Sequence, residues 1–187
     1  SIMKRSKITI RPADRKRLAA EFQLIKDIYN TAWERNWGFV PLTPRELDGV
    51  VDALGMIVDA RMLYFASVDG DPAGFILAVP DLNQAIHRAY PRPTEPELWT
   101  LLKVLWHWRV RRVIDMVRVP LMGVKEIYRG RGVDAVLYAH ILEAILGCGY
   151  AKSDSGWILE INEGMVSIAK NFGSRIYKTY RIYEKAL

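Results

Sequence analysis

The chain of 187 residues is half hydrophobic and carries a formal net charge of +6, and this length is enough to bury one sizeable core. Its 20 aromatic residues, six Trp, nine Tyr and five Phe, exclude a disordered or low-complexity chain. No apolar run reaches the ~18 residues of a membrane-spanning helix, and Cys148 as the only cysteine excludes an internal disulfide. We expect one cytoplasmic domain over residues 1–187 with acidic partners. The Ser-Ile-Met start suggests the carboxyl-terminal part of a longer protein.

The spacing of apolar residues predicts the elements of the first half. Residues 7–11 alternate and predict a strand, and an Asp cap begins a helix over 14–33. After a break, the Thr-Pro-Arg-Glu run at 43–46 restarts the helix with a capping box. Residues 62–68 and 73–79 predict two strands joined as a hairpin through an Asp-Gly-Asp-Pro turn.

The second half alternates strands and helices after a helical insertion. The predicted elements are the insertion 94–113, strand 116–124, helix 133–147, strand 155–161, short helix 163–172 and a closing strand 175–183. The whole order, β-α-α-β-β-insertion-β-α-β-α-β, indicates an α/β protein with a mixed sheet.

A glycine-rich turn at residues 128–134 joins a predicted strand to a predicted helix. Such a turn presents free backbone N–H groups and the positive end of a helix dipole to one point, which suits a phosphate or pyrophosphate. Gly130 and Gly132 allow the backbone to approach a ligand closely, and Arg129 and Arg131 supply positive charge.

This turn resembles motif A of the GNAT N-acyltransferases, Arg/Gln-x-x-Gly-x-Gly/Ala, with Arg129 and Gly132 at the first and fourth positions. The resemblance implies a GNAT acyl-CoA N-acyltransferase fold, in which the fourth and fifth strands splay apart and the insertion precedes the fourth strand. It implies acyl transfer from acetyl-CoA, or a longer acyl-CoA, to an amine by direct attack. The implied coenzyme-binding residues on the strand and turn are Leu121, Met122, Gly123, Val124, Arg129, Gly130, Arg131, Gly132, Val133 and Asp134.

Asp134 departs from the motif, since the family has Gly or Ala there. An acidic residue in the first turn of a helix complements the helix dipole. Pointed at a pyrophosphate ~4 Å away, it would cost about 1–4 kcal/mol. We therefore expect Asp134 to point away and the affinity for coenzyme A to be modest.

Residues 162–174 resemble a second GNAT pattern, Asn-x-x-Ala/Met-x-x-Leu-Tyr-x-x-x-Gly-Phe, which adds Asn162 to the implied coenzyme-binding set. Ala169 stands where many members have the Tyr that protonates the departing thiolate, and this predicts slow turnover. Tyr177 or Tyr180 could substitute, although packing on a strand is the alternative. Glu160 is the candidate general base, with an ion-paired strand end as its alternative.

In the GNAT fold the loop between the first two helices borders the acceptor pocket. The resemblance therefore assigns Trp37 and Phe39, with Trp33 one turn earlier, to acceptor binding, and Asn83 joins them after the third strand. Packing of the aromatic residues in the core, and a helix start for the polar residues 81–84, are the alternative. We expect a small-molecule amine or amino-acid-like acceptor with an apolar body and a polar head.

The insertion runs from Leu and Trp to Arg residues over 98–112. This order suits a helix that packs its Leu/Trp stripe on the domain or on the partner of a homodimer. A peripheral membrane helix and a stacking surface for single-stranded nucleic acid are the alternatives, and nucleic acid is not expected. The three histidines have no metal-ligand spacing, so no metal is expected.

Two alternatives to an enzyme remain open at this stage. One is a catalytically degenerate GNAT module that binds an acyl-CoA or a partner. The other is a basic, aromatic module associated with membranes or nucleic acid.

Overall fold

The structure, a computed structural model, describes residues 7–33 and 57–181, together with residues 40, 43, 45, 46, 49, 55, 183 and 185. The chain divides into two compact units, residues 1–156 and 157–187. The described part of the first unit contains a five-stranded sheet in the order β1-β2-β3-β4-β5. The strands are β1 (Ile8–Pro12), β2 (Leu63–Val68), β3 (Asp71–Pro80), β4 (Met116–Val124) and β5 (Lys152–Asp154).

Five α-helices lie wholly within the continuously described ranges 7–33 and 57–181. They are α1 (Leu18–Trp33), α2 (Leu82–Ala89), α3 (Glu97–Leu105), α4 (Val133–Gly147) and, in the second unit, α5 (Glu163–Asn171). A π-helical turn, Trp106–Val110, continues α3. The strand-turn-helix order predicted around residues 116–147 is confirmed, and so is the helical character of the insertion.

The sheet is covered on both faces. Helix α1 packs Phe22, Ile25 and Ile28 against Phe65 and Phe75 of β2 and β3 in one buried cluster. Helix α4 contacts β2, β3 and β4 from the opposite face. Since residues alternate between the faces of a strand, each helix meets a different set of strand side chains.

The sheet is mixed, as predicted. Strands β1 to β4 pair antiparallel in sequence order, and β2 and β3 form the predicted hairpin. Between Arg118 and Leu121, β4 has one residue more than the facing stretch from Val79 to Leu77 of β3, which makes a bulge. Strand β5 pairs parallel with β4 over three residues, ending at Arg118 opposite Asp154. Strand β5 ends at that pair, and β4 continues without a parallel neighbour among the described strands.

Two predicted strands are wrong. The fifth strand lies at Lys152–Asp154 and not at 155–161. The described residues 175–181 form no strand either, although they alternate in character. The three residues of β5 are polar or charged, so pairing with β4 defines this strand and an apolar pattern does not.

The capping box predicted at 43–46 is present. Thr43 N–H donates to Glu46 Oε2 over 2.9 Å, and Glu46 N–H donates to Thr43 Oγ1 over 3.3 Å. These reciprocal bonds satisfy two backbone donors at a helix start. The hydrogen bonds that Thr43 N–H and Thr43 Oγ1 donate to the carboxylate hold the pKa of Glu46 below its usual range.

Candidate functional site

The carboxyl-terminal half of β4 has an edge that no strand of the described residues covers. Lys125 N–H, next along the chain, donates to Ala73 O of β3 over 2.9 Å. Because backbone directions alternate along a strand, Met122 and Val124 present their N–H and C=O groups on the opposite edge. Strand β5 has already ended there. On this edge Val124 O accepts a hydrogen bond from Arg129 Nε over 3.2 Å.

The glycine turn follows directly and adopts the backbone conformation that its sequence requires. Gly130 has φ +71° and Gly132 has φ +84°, in the left-handed region that favours glycine. Gly132 is also the residue that caps α4. Among the described residues, none accepts a hydrogen bond from the N–H groups of Gly130, Arg131, Gly132 or Val133. Several donors therefore converge at the positive end of a helix of 15 residues, an arrangement that binds anions.

Arg129 binds protein backbone groups. Its Nε donates to Val124 O over 3.2 Å, and its Nη2 donates to Ala32 O near the end of α1. The guanidinium thus joins the turn to β4 and α1, a structural role that the sequence did not reveal. Arg131 is exposed, with its guanidinium carbon 5.6 Å from the ring centroid of Tyr128.

Asp134 stays beside the donors of the turn. Its Oδ1 accepts a hydrogen bond from the N–H of Ala135 over 2.9 Å. The carboxylate therefore occupies one donor of the first turn of α4 and places negative charge where an anion would bind. This geometry favours a modest affinity for a diphosphate.

A second polar cluster lies where the pairing of β4 and β5 ends. Arg118 Nη2 is 3.4 Å from Asp154 Oδ2, and Arg118 Nε is 3.9 Å from Asp81 Oδ1. Both carboxylates are buried, while the guanidinium is half exposed. Two carboxylates thus face one cation. The sequence analysis missed Asp154, because the polar run Lys-Ser-Asp gives no signal of a strand.

Asn83 lies in the first turn of α2, so the helix start that the sequence offered as the alternative for residues 81–84 is confirmed. Its N–H and Nδ2 donate to Oδ1 of the capping Asp81 over 3.3 and 2.8 Å. Asp81 N–H donates to Met116 O at the start of β4. A nine-residue strand spans about 26 Å, so Asn83 lies near the end of β4 opposite to the glycine turn.

The remaining predicted site residues are Trp33, Trp37, Phe39, Asn162 and Glu160. Trp33 is the last residue of α1, and Trp37 and Phe39 lie outside the described residues. Asn162 and Glu160 belong to the second unit. Asn162 Oδ1 caps α5 by accepting from Met165 N–H over 3.3 Å, and Glu160 forms an ion pair with Arg181. Their proposed roles stay predictions.

The insertion differs from its expected packing. The Leu and Trp side chains of α3 are exposed, so the expectation that this stripe packs on the domain is wrong for the described residues. His140 Nδ1 lies 2.8 Å from Val136 O within α4. In the described ranges, no three His, Cys, Asp or Glu side chains cluster as metal ligands, and no helix is long and apolar enough to cross a membrane.

The strand order, the short parallel pairing of β4 with β5 and the glycine turn together define the GNAT fold, and solved structures agree. An aminoglycoside acetyltransferase from an uncultured soil metagenomic sample, in complex with sisomicin, matches with a TM-score of 0.60 at 9% identity over 99% of both chains. A GNAT family acetyltransferase from Brucella melitensis, in complex with acetyl-CoA, matches with a TM-score of 0.52 at 16% identity over 91% of this chain and 84% of that one. The chain therefore has the GNAT fold, as its sequence predicts.

Two curated proteins are similar in sequence. The bacterial ceramide synthase of Caulobacter vibrioides is 36% identical over 186 residues, which cover 97% of this chain and 47% of that protein. Protein YghO of Escherichia coli is 37% identical over 187 residues, covering 98% and 47%. The chain thus spans about half the length of these relatives. No protein-family model matches it.

Proposed function

We propose that this chain carries the acyl-CoA-binding and acyl-transfer site of an N-acyltransferase that joins a fatty acyl group to the amine of a lipid. The observation that carries the proposal is the turn after β4, whose two left-handed glycines lead to backbone N–H groups at the start of α4 that are bonded to none of the described residues. Such donors at a helix start match the pyrophosphate of coenzyme A.

In this proposal the N–H groups of Gly130 to Val133 bind the pyrophosphate, and Arg131 lies beside it. The pantetheine arm lies along β4 and runs toward its bulge. The thioester then lies near the point where the pairing of β4 and β5 ends. Asn162 stays a proposed coenzyme contact from the family resemblance.

The reaction needs no acyl-enzyme. The amine nitrogen attacks the thioester carbonyl carbon, a C–N bond forms, the C–S bond breaks, and coenzyme A leaves as a thiolate. A thiol with a pKa near ~8.5 leaves readily at neutral pH. Without the usual general-acid Tyr at position 169, turnover would be slower by up to ~10²–10⁴-fold.

The acceptor amine must lose a proton, since an alkyl ammonium with a pKa near ~10.4 is not nucleophilic. The carboxylates of Asp81 and Asp154 both lie beside Arg118, where the pairing of β4 and β5 ends, and in this proposal they bind the ammonium group of the acceptor. Glu160, the base suggested by the sequence, is held by Arg181. Proton transfer through ordered water is therefore part of the proposal.

The curated relatives support the lipid part. A ceramide is an amide between a fatty acid and a long-chain amino alcohol, and the bacterial ceramide synthase of C. vibrioides aligns with 97% of this chain. Acetyl-CoA or a longer acyl-CoA was the donor expected from the sequence. The relative favours the longer donor and an amphipathic acceptor with one amine.

Thermal shift with free coenzyme A, acetyl-CoA and palmitoyl-CoA tests the binding step, because a ligand that binds only the folded state raises its stability by mass action. The Gly132→Asp variant should lose the shift, since a side chain at φ +84° and a second carboxylate both oppose an anion. Arg109→Glu, far along the chain in the insertion, should keep it. No shift with any of the three ligands would overturn the proposal.

Release of free thiol from palmitoyl-CoA then tests catalysis. A long-chain amino alcohol should support release, and an aminoglycoside and a free amino acid should support less. A chain that binds coenzyme A but releases no thiol with any amine would be the degenerate binding module.

A further inference from the structure

Helix α3 presents its apolar residues to solvent. Six large side chains, each 39–67% exposed, form what we call the outer face: Leu98, Trp99, Leu101, Leu102, Leu105 and Trp106. At 100° per residue they fall within an arc of about 160° of one helix side. Val110 in the following π turn is also exposed.

The opposite side of α3 is the more polar one, and it is turned toward the protein. Thr100, Lys103, Val104 and His107 are half-buried, and α3 packs against α2. A surface helix of a water-soluble protein normally has the reverse arrangement, with its apolar stripe on the core. Within the described part of the chain, nothing buries the outer face.

Positive charge surrounds the outer face. Residues 84–113 contain six Lys and Arg but two Glu, a local net charge of +4. Lys103 pairs with Glu95, whereas Arg109, Arg111 and Arg112 are exposed directly after the apolar residues. The guanidinium of Arg109 lies 4.0 Å above the ring of Trp108.

We propose that the outer face docks on an anionic lipid bilayer. The leucines would enter the acyl boundary, the tryptophans would lie at the headgroup level, and the arginines would bind lipid phosphates. This inference stands on exposure and charge and does not depend on the proposed reaction.

Two other occupants fit less well. In a two-fold dimer with antiparallel α3 helices, the three arginines after one helix would meet Glu95 and Glu97 before the other, and Glu95 already pairs with Lys103, so the positive charge would stay only partly compensated. Single-stranded nucleic acid stacks on aromatic rings, whereas four of the six residues are leucines. A bilayer accommodates the leucines and the arginines together.

Sedimentation with vesicles tests the proposal. The chain should bind vesicles of phosphatidylglycerol in phosphatidylcholine much more strongly than vesicles of phosphatidylcholine alone, and added salt should weaken the binding. Leu98→Glu should lower the partition coefficient by about tenfold or more, because an apolar side chain is replaced by a charge in the interface. Leu146→Glu is the matched control, since Leu146 on α4 is 69% exposed against 67% for Leu98.

The double variant Arg111→Glu/Arg112→Glu gives a second, independent readout. It should abolish the preference for phosphatidylglycerol and reduce the salt dependence, with its coenzyme A thermal shift intact. Equal vesicle binding by Leu98→Glu and Leu146→Glu would overturn the proposal, and so would binding that ignores lipid charge.

The other occupants are outcomes of the same set of experiments. A concentration-dependent dimer that Leu98→Glu dissociates, with no vesicle binding, would assign the face to a second copy. Where the natural chain is longer, the assay is repeated on that chain. Loss of vesicle binding there would assign the face to the additional segment and would also overturn the proposal.

Discussion

Asp134 lies at the centre of the electrostatics of the turn. Its carboxylate accepts the N–H of Ala135 and so competes with an incoming phosphate for the donors at the start of α4. The helix gains from an acidic residue there, by about 0.3–1 kcal/mol through its dipole. A bound diphosphate would lose about 1–4 kcal/mol to the like charge. The carboxylate thus stabilises the helix but weakens binding of the diphosphate, so removing it should change stability and affinity in opposite directions.

Asp134→Ala should therefore tighten binding of coenzyme A by about fivefold or more, while the free energy of unfolding falls by a few tenths of a kcal/mol to about 1 kcal/mol. Isothermal titration calorimetry measures the first effect and urea unfolding the second. Glu143→Ala is the control, because Glu143 is an exposed acid two and a half turns further along α4. Unchanged or weaker binding by Asp134→Ala would place the diphosphate away from this turn.

The contacts of Arg129 could not be predicted from the residues around it in sequence. The sequence correctly placed it in the turn, and its charge suggested a ligand contact. Its bonds to Val124 O and Ala32 O instead involve backbone atoms of a strand and a helix. The partner in α1 is 97 residues away in sequence, and no local pattern encodes such a pair.

At the scale of elements, an ion pair between the half-exposed Arg11 and the buried Glu21 joins β1 to α1. Arg11 Nη1 and Nη2 donate to Glu21 Oε1 and Oε2 over 2.6 and 2.8 Å, and Asp14 N–H donates to Oε1 over 2.9 Å. Glu21 is buried. The hydrogen bonds from Arg11 are the main cause that holds the pKa of Glu21 below its usual value, and burial opposes them.

This lowered pKa fixes the sign of a pH dependence. The stabilisation is complete above the unfolded-state value of about 4.5 and is lost as the pH falls through the lower value of the folded state. Glu21→Gln should cost about 1–3 kcal/mol at pH 7 and should flatten the loss of stability below pH ~4.5. Urea unfolding at pH 7, 4.5 and 3.5 measures both. An identical pH profile for the variant and the parent would show that Glu21 titrates normally in the folded chain.

The sequence predicted the elements whose own residues show a regular pattern, and it missed those that depend on a partner elsewhere in the fold. The strands before and after the hairpin turn, β4 and α4 are long and regularly spaced, so periodicity found them. Helix α2 is short and polar, and its cap Asp81 was interpreted as part of a pocket. Strand β5 has three polar or charged residues, and it is a strand because β4 offers it a parallel partner. The sequence analysis therefore placed the fifth strand wrongly, over the apolar run at 157–161.

The insertion illustrates a related limit. The period of its leucines and tryptophans correctly predicted a helix. A period locates an apolar face but does not say what covers it, and packing on the domain was the ordinary expectation. In the structure the polar side of α3 is turned toward the protein, so tertiary packing reversed that expectation.

At the scale of the molecule, the glycine turn and the outer face both belong to the first unit, residues 1–156. The glycine turn would hold the coenzyme A part of the donor. The outer face would bring the chain to a bilayer that contains the acceptor. If both proposals hold, binding of the donor and access to the acceptor depend on separate residues. Either proposal can therefore be wrong while the other is right.

Leu98→Glu should therefore leave thiol release unchanged with a short, water-soluble amine. It should lower release by about tenfold or more with a long-chain amino alcohol held in anionic vesicles, because the local concentration of enzyme at the interface falls with the partition coefficient. Gly132→Asp should abolish release with both acceptors, and Leu146→Glu should change neither. A Leu98→Glu variant that loses activity equally with both acceptors would place the outer face in the transfer site itself. The reason is that docking on a surface cannot affect a reaction whose two substrates are both dissolved in water.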